Sequence, residues 1–184
     1  MRSNWCHAAM ANAFEAGAAG MPCAIFRGYH GAELRKVNSD IRSVICPFTG
    51  EELAAVPALR PDVTFIHAQK ANRRGDVLIE GITGVNKEAV LAARRVVVTV
   101  EEIVEQFSIS HPNTCVLPNW TVAAITKVQG GAHPSYAMGY YERDNVAYFE
   151  WDNISADRNL FISWMNANVL SVGPEIFAAR VKAL

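Results

Sequence analysis

Residues 62–107 read DVTFIHAQKANRRGDVLIEGITGVNKEAVLAARRVVVTVEEIVEQF, and the changes of composition along them decide the class of fold. Val63-Thr64-Phe65-Ile66 is rich in β-branched residues, and the polar loop Asn72-Arg73-Arg74-Gly75-Asp76 follows it. A second apolar run, Val77-Leu78-Ile79, ends at Gly81. Thr83-Gly84-Val85-Asn86 leads into residues 87–95, KEAVLAARR, which have helical composition. The β-formers Val96, Val97, Val98 and Val100 come next, and the acidic pair Glu101-Glu102 reads as the start of another helix. Strand, helix, strand, helix in one segment predicts an α/β layered domain, with an open, mostly parallel sheet and flanking helices. The unbroken run Val96-Val97-Val98 fits a strand covered on both faces.

Working outward, Asn4 is placed to cap a helix over residues 5–17 that Gly20 and Pro22 bring to an end. Trp5, Met10 and Phe14 are available for its apolar face. Cys23-Ala24-Ile25-Phe26 reads as a short strand that delivers Arg27-Gly28-Tyr29-His30-Gly31 at its carboxyl end, where ligands gather in open α/β sheets. Residues 38–61 are loop-rich, with a strand near residues 53–56. Short elements follow over residues 116–128, the last of them a strand at Thr126-Lys127-Val128. Residues 157–169 and 174–184 carry large apolar side chains at helical spacing. The expected organisation is one domain over residues 1–184, with residues 152–184 as a helical extension packed on it.

Composition narrows the function. A chain of 184 residues is long enough to bury a substantial core. Its 17 Lys and Arg against 18 Asp and Glu leave a net charge near −1, and 51% of residues are hydrophobic. Neither a nucleic-acid footprint nor a disordered tail is expected from that balance. No apolar run reaches membrane-spanning length, and residues 1–5 lead into a helical pattern without a signal-peptide core. Cys6, Cys23, Cys46 and Cys115 lack CxxC spacing, and no histidine pair has metal-ligand spacing. Reduced thiols in a cytoplasmic protein are therefore expected, and a metal site is not.

The central stretch, with Pro47-Phe48-Thr49-Gly50-Glu51, Val56-Pro57-Ala58-Leu59-Arg60-Pro61-Asp62, Gly130-Gly131-Ala132-His133-Pro134-Ser135 and Gly139-Tyr140-Tyr141, resembles the A (alpha) subunit of class I CoA transferases, of the glutaconate CoA-transferase type. The agreement runs in order from about Arg27 to Tyr141. The resemblance implies the CoA-transferase (NagB/RpiA-like) fold and a hetero-oligomer with a B subunit. It implies CoA transfer between an acyl-CoA and a (di)carboxylic acid, with coenzyme A as substrate and no permanently bound cofactor. It also implies a β-α unit before the first helix, which nothing ahead of Trp5 supplies, so the expectation is an N-terminally shortened version of the fold, either a fragment that starts mid-domain or a shortened homologue. In the family the nucleophile is a glutamate of the B subunit in a Ser-Glu-Asn-Gly setting. That tetrapeptide is absent here, so no catalytic nucleophile is expected in this chain. Glu80-Gly81 imitates the pattern at a position that is not the nucleophile's.

Substrate contacts are the contribution expected of this chain. Arg27, beside Gly28, can grip a carboxylate through two parallel N–H···O bonds; the alternative is an ion-paired surface arginine. Ser3-Asn4 resembles a family pair near the substrate pocket; the alternative for Asn4 is a plain helix cap. His133 follows two glycines that allow close backbone approach, and it either lines the pocket or the A–B interface, or forms a structural turn. Arg73 and Arg74 could meet CoA phosphates, or simply be solvated. His30 gains interest only from its place near Arg27. Two rival readings remain: an acyl-CoA or ring-opening hydrolase component of the same fold, for which no acidic residue stands near Asn4, and a catalytically silent scaffold protein.

Overall fold

Alanine or glycine at positions 9, 13, 16 and 17 gives the first helix, α1 (His7–Ala18), a smooth buried face. The structure is a computed structural model that describes residues 5–109, 111–173, 175, 176 and 179. It divides into two compact units: Met1–Thr64 with Thr83–Val96, and Phe65–Ile82 with Val97–Leu184.

In the first unit, the smooth face lets other backbone come very close. The Leu59 N–H donates to the Ala13 carbonyl at 2.9 Å. A Cβ on Gly17 would lie 1.9 Å from the Leu59 carbonyl oxygen, so only glycine fits. Trp5 packs at the edge of this core, whereas Met10 faces solvent, so the apolar face is built on small residues rather than the large ones expected. Asn4 lies outside the described residues, and the residue preceding α1, Cys6, makes no side-chain cap. Strand β1 (Cys23–Phe26) is followed by a short helix α2 (Leu34–Val37), β2 (Arg42–Ile45) and β3 (Glu52–Pro57). The three strands form one sheet in the order β1-β3-β2, antiparallel throughout. Helix α3 (Asn86–Ala92) packs on α1.

The second unit holds a five-stranded sheet in the order β7-β5-β4-β6-β8. Its strands are β4 (Thr64–Asn72), β5 (Val77–Glu80), β6 (Val96–Val104), β7 (Thr114–Leu117) and β8 (Ala124–Lys127). The first residues of β4 and β6, Thr64 and Val96, are assigned to the first unit. Strand β6 pairs in parallel with β8, whereas β5 is antiparallel to both β4 and β7. The α/β class is as expected, and the sheet is mixed where a mostly parallel one was expected. The reason is the β4–β5 connection, which is far too short for the crossover of a dozen or more residues that parallel neighbours need. Asn72 builds that turn: its Oδ1 accepts from the Arg74 and Asp76 N–H groups, and its Nδ2 donates to Asp76 Oδ2 at 2.9 Å.

Two further elements differ from expectation. Glu101-Glu102 does not open a helix, because β6 runs through both residues to Val104. The β-branched residues that flank the pair extend the strand, and the buried carboxyl of Glu101 finds partners there. The helical region begins at Asn145 rather than residue 152, with α4 (Asn145–Ala156) capped by the Asp144 carboxylate, which accepts from the Ala147 N–H. Asp157 likewise caps α5 (Arg158–Met165), accepting from Asn159 and Leu160. A π-helical turn (Asn166–Leu170) follows. Trp151 of α4 meets Phe161 and Trp164 of α5 edge to face, at 6.1 and 5.0 Å between ring centres. Most of residues 174–184, expected as a helix, lie outside the described residues. Among the described residues no helix is long and apolar enough to cross a membrane, and no cluster of three or more His, Cys, Asp or Glu could hold a metal.

Candidate functional site

The first unit places Arg27 and Gly28 directly after β1. The Arg27 guanidinium grips Glu51 by two edges, Nε to Oε1 at 2.9 Å and Nη2 to Oε2 at 2.8 Å. Glu51 closes the turn 46–51, where the Cys46 N–H donates to the Glu51 carbonyl. That pairing raises the Arg27 pKa further, so the group is a fixed cation. Its side chain is 73% exposed, and Nη1 lies on the side of the fork that Glu51 does not occupy. Arg27 does end a strand, but the sheet is antiparallel, so the rule about ligands at the carboxyl ends of parallel strands does not explain its position. Glu51 does. Gly28 leaves room for the Phe26 ring, which a Cβ would meet at 2.6 Å. Tyr29 adopts a left-handed backbone with φ 59°, a conformation uncommon outside glycine. It is held there by its hydroxyl, which accepts from the Cys6 N–H at 2.9 Å, and by an edge-to-face contact with Phe26. The loop that carries Arg27 is therefore fixed at both ends.

The second unit contains a buried polar network that sequence reasoning missed. Residues 67, 99 and 101 lie on one face of neighbouring strands β4 and β6. His67 Nε2 is 2.7 Å from Glu101 Oε1, and Nδ1 is 2.8 Å from Thr99 Oγ1. Glu101 is 2% exposed, and a buried carboxylate persists only when it is well paired. Besides His67 it accepts the Gly130 N–H on both oxygens at 3.0 Å, and the Tyr141 hydroxyl at 3.0 Å. Tyr141 in turn accepts from the Ala132 N–H at 2.9 Å. Burial lowers the His67 pKa against the opposing pull of Glu101. Burial first, then Glu101, raises that of Tyr141, so its hydroxyl stays protonated and donates. Tyr140 bonds Glu102 on the other face of β6, and burial raises its pKa also. The signal available in sequence was the pair of acids inside a β-branched run, read as a helix start.

His133 sits in the loop that this network holds, with Nε2 2.9 Å from Asp144 Oδ2. Asp144 is thus shared between the loop and the cap of α4, and the Ala147 N–H and His133 lower its pKa. Arg73 and Arg74 lie on the β4–β5 turn. Arg73 pairs with Glu105 at 2.5 Å and lines an open groove of about 770 Å³ with Asn72, Gly75, Ile103, Glu105 and Ile125. The Arg74 carbonyl accepts from Asn119 Nδ2. Glu80 exchanges two backbone hydrogen bonds with the Gln69 amide, which accounts for its place at the end of β5. Arg27 and Gly28 thus belong to one unit, and His133, Arg73 and Arg74 to separate elements of the other.

These elements match known proteins. The structure superimposes on glutaconate coenzyme A-transferase from Acidaminococcus fermentans with a TM-score of 0.83, covering 98% of this chain and 63% of that chain at 24% identity. The fold is accordingly the α/β fold of the CoA transferases. In sequence, residues 2–128 match the coenzyme A transferase family. The chain is 58% identical over 160 residues to the A subunit of 3-oxoadipate CoA-transferase from Pseudomonas knackmussii, covering 87% of this chain and 56% of the relative. It is 35% identical over 113 residues to the A subunit of glutaconate CoA-transferase from Acidaminococcus fermentans, covering 61% of this chain and 35% of that one. The chain belongs to the coenzyme A transferase family, on the A-subunit side, and spans little more than half the length of the first of these curated relatives and about a third of the second.

Proposed function

We propose that this chain acts as the A subunit of a hetero-oligomeric CoA transferase in the cytoplasm, moving CoA between an acyl-CoA and a dicarboxylic acid. The observation that carries the reading is the 58% identity with a protein named for 3-oxoadipate, a dicarboxylate, as is the glutaconate of the other relative. In this reading the partner subunit supplies a glutamate. Its carboxylate attacks the thioester carbonyl and expels CoA thiolate, leaving a mixed anhydride. The thiolate then attacks the glutamyl carbonyl and releases the first acid, leaving glutamyl-CoA. The acceptor carboxylate repeats the two steps in reverse order and departs as the new thioester. Splitting one exchange in this way lowers each barrier.

This chain would contribute contacts. Arg27, held by Glu51, offers Nη1 to the remote carboxylate of a dicarboxylic acid, and Gly28 keeps the approach open. The His133 loop would contact the acyl-CoA. Arg73 and Arg74 would meet the phosphates of CoA at the groove beside the β4–β5 turn.

The test is intact mass. The chain is co-produced with its partner subunit, mixed with an acyl-CoA and no acceptor, and both proteins are weighed. A partner heavier by CoA less water, discharged when 3-oxoadipate is added, supports the reading. Steady release of free CoA without an adduct or an acceptor overturns it in favour of a hydrolase.

A further inference from the structure

The loop over residues 130–141 begins with two adjacent glycines, and Gly130 has φ +77°. Such a start gives the backbone freedom that something must remove. What removes it is one side chain. Both oxygens of buried Glu101 accept the Gly130 N–H, and one of them also accepts the Tyr141 hydroxyl from the far end of the loop. Tyr141 returns to the near end by accepting from the Ala132 N–H. Both ends of the loop are thus closed on a single carboxylate, which β6 carries and His67 orients from β4. The fit is steric as well as polar. A Cβ on Gly131 would lie 2.6 Å from His67 Nδ1, so the loop rests directly on the ring. Between these tethers the loop presents His133, whose imidazole meets Asp144 at 2.9 Å.

We propose that Glu101 is the positioning residue for the His133 loop, with His67 and Tyr141 as its supports, so that this carboxylate sets the geometry in which the loop meets an acyl-CoA. The tether stands on the structure alone; its consequence for turnover rests on the CoA-transferase reading. A loop shifted at the reacting centre changes alignment in the transition state more than it changes binding of the large, remote CoA nucleotide.

The experiment uses the full chain with its partner subunit, as wild type, Glu101→Gln and Tyr141→Phe. Amide hydrogen exchange is read across the chain, and kcat and KM for acyl-CoA are measured. In Glu101→Gln, exchange at Gly130 and Ala132 is expected to rise about ten-fold or more, with β5 and β7 unchanged. The value of kcat is expected to fall about ten-fold, with KM changed by less than about three-fold. Exchange that stays as in the wild type, or that rises equally across β4, β5 and β7, overturns the proposal. So does a freed loop with unchanged kcat. Should Glu101→Gln fail to fold, Tyr141→Phe decides, because it spares the bonds of Glu101 to Gly130 and His67. Faster exchange confined to Ala132 and its neighbours, with reduced kcat, supports the proposal, and none overturns it. A wild-type complex that transfers no CoA while Glu101→Gln frees the loop refutes the transferase reading and leaves the tether standing.

Discussion

His67 stands with one ring nitrogen on Thr99 and the other on Glu101, and burial holds its pKa below the ordinary 6.5. The sign of the linkage follows. As pH falls through about 6.5, the unfolded chain takes a proton at this residue while the folded chain does not. The contribution of His67 to stability is therefore complete above that pH and declines below it. The thermal midpoint is expected to fall between pH 7 and pH 5, and His67→Gln to flatten the slope by up to about one proton, or about 1.4 kcal/mol per pH unit. Identical slopes in the two proteins refute this. Arg27 lends itself to a kinetic test, because lysine keeps the charge and loses the planar fork. Arg27→Lys is expected to raise KM for the dicarboxylate roughly ten-fold at unchanged thermal midpoint. An unchanged KM reduces Arg27 to the ion partner of Glu51.

Helix α1 shows how an element can depend on a residue with no side chain. The Leu59 carbonyl occupies the space that a Cβ on Gly17 would need, and backbone cannot swing aside as a side chain can. Gly17→Ala is expected to cost about 1–3 kcal/mol through overpacking and to lower the thermal midpoint by several degrees, read by calorimetry; a neutral result shows that the helix can shift. Nothing in the sequence reveals this contact, because Leu59 is 42 positions away. What local pattern decides was legible: the strand at Cys23–Phe26, the turn at Asn72, and the β-branched run into β6 all fall where composition puts them. Direction of pairing was misread, because the strand-helix-strand order was given more weight than the loop at residues 72–76, which is too short for a parallel crossover. The role of Glu101 was not legible. An acid inside a strand reads as an error of pattern until its partners on β4 and on the loop, up to 40 positions away, are seen. The candidate site was legible in part. Arg27 and His133, residues with a chemical signature of their own, stood out in the sequence, whereas Glu101, whose partners lie on other elements, did not.

At the scale of the whole chain, two facts bear on how it works. It covers 56% of the A subunit of 3-oxoadipate CoA-transferase, and no Ser-Glu-Asn-Gly segment occurs in it. In addition, α4 and α5 contain no buried residue, and Phe149 on α4 is 79% exposed, as Trp120 before β8 is 77% exposed. A helix normally buries one face, and apolar surface left open favours association. The chain produced alone is therefore expected to self-associate by light scattering and to transfer no CoA between acyl-CoA and 3-oxoadipate. Co-production with a B-type partner is expected to give a defined complex with equal amounts of the two chains, and to restore transfer. The controls separate the two causes. A complex that forms but stays inactive means that the apolar helices meet a partner while the proposed chemistry is wrong. Transfer by the isolated chain means that the nucleophile lies within these 184 residues, and the partner's glutamate is then unnecessary.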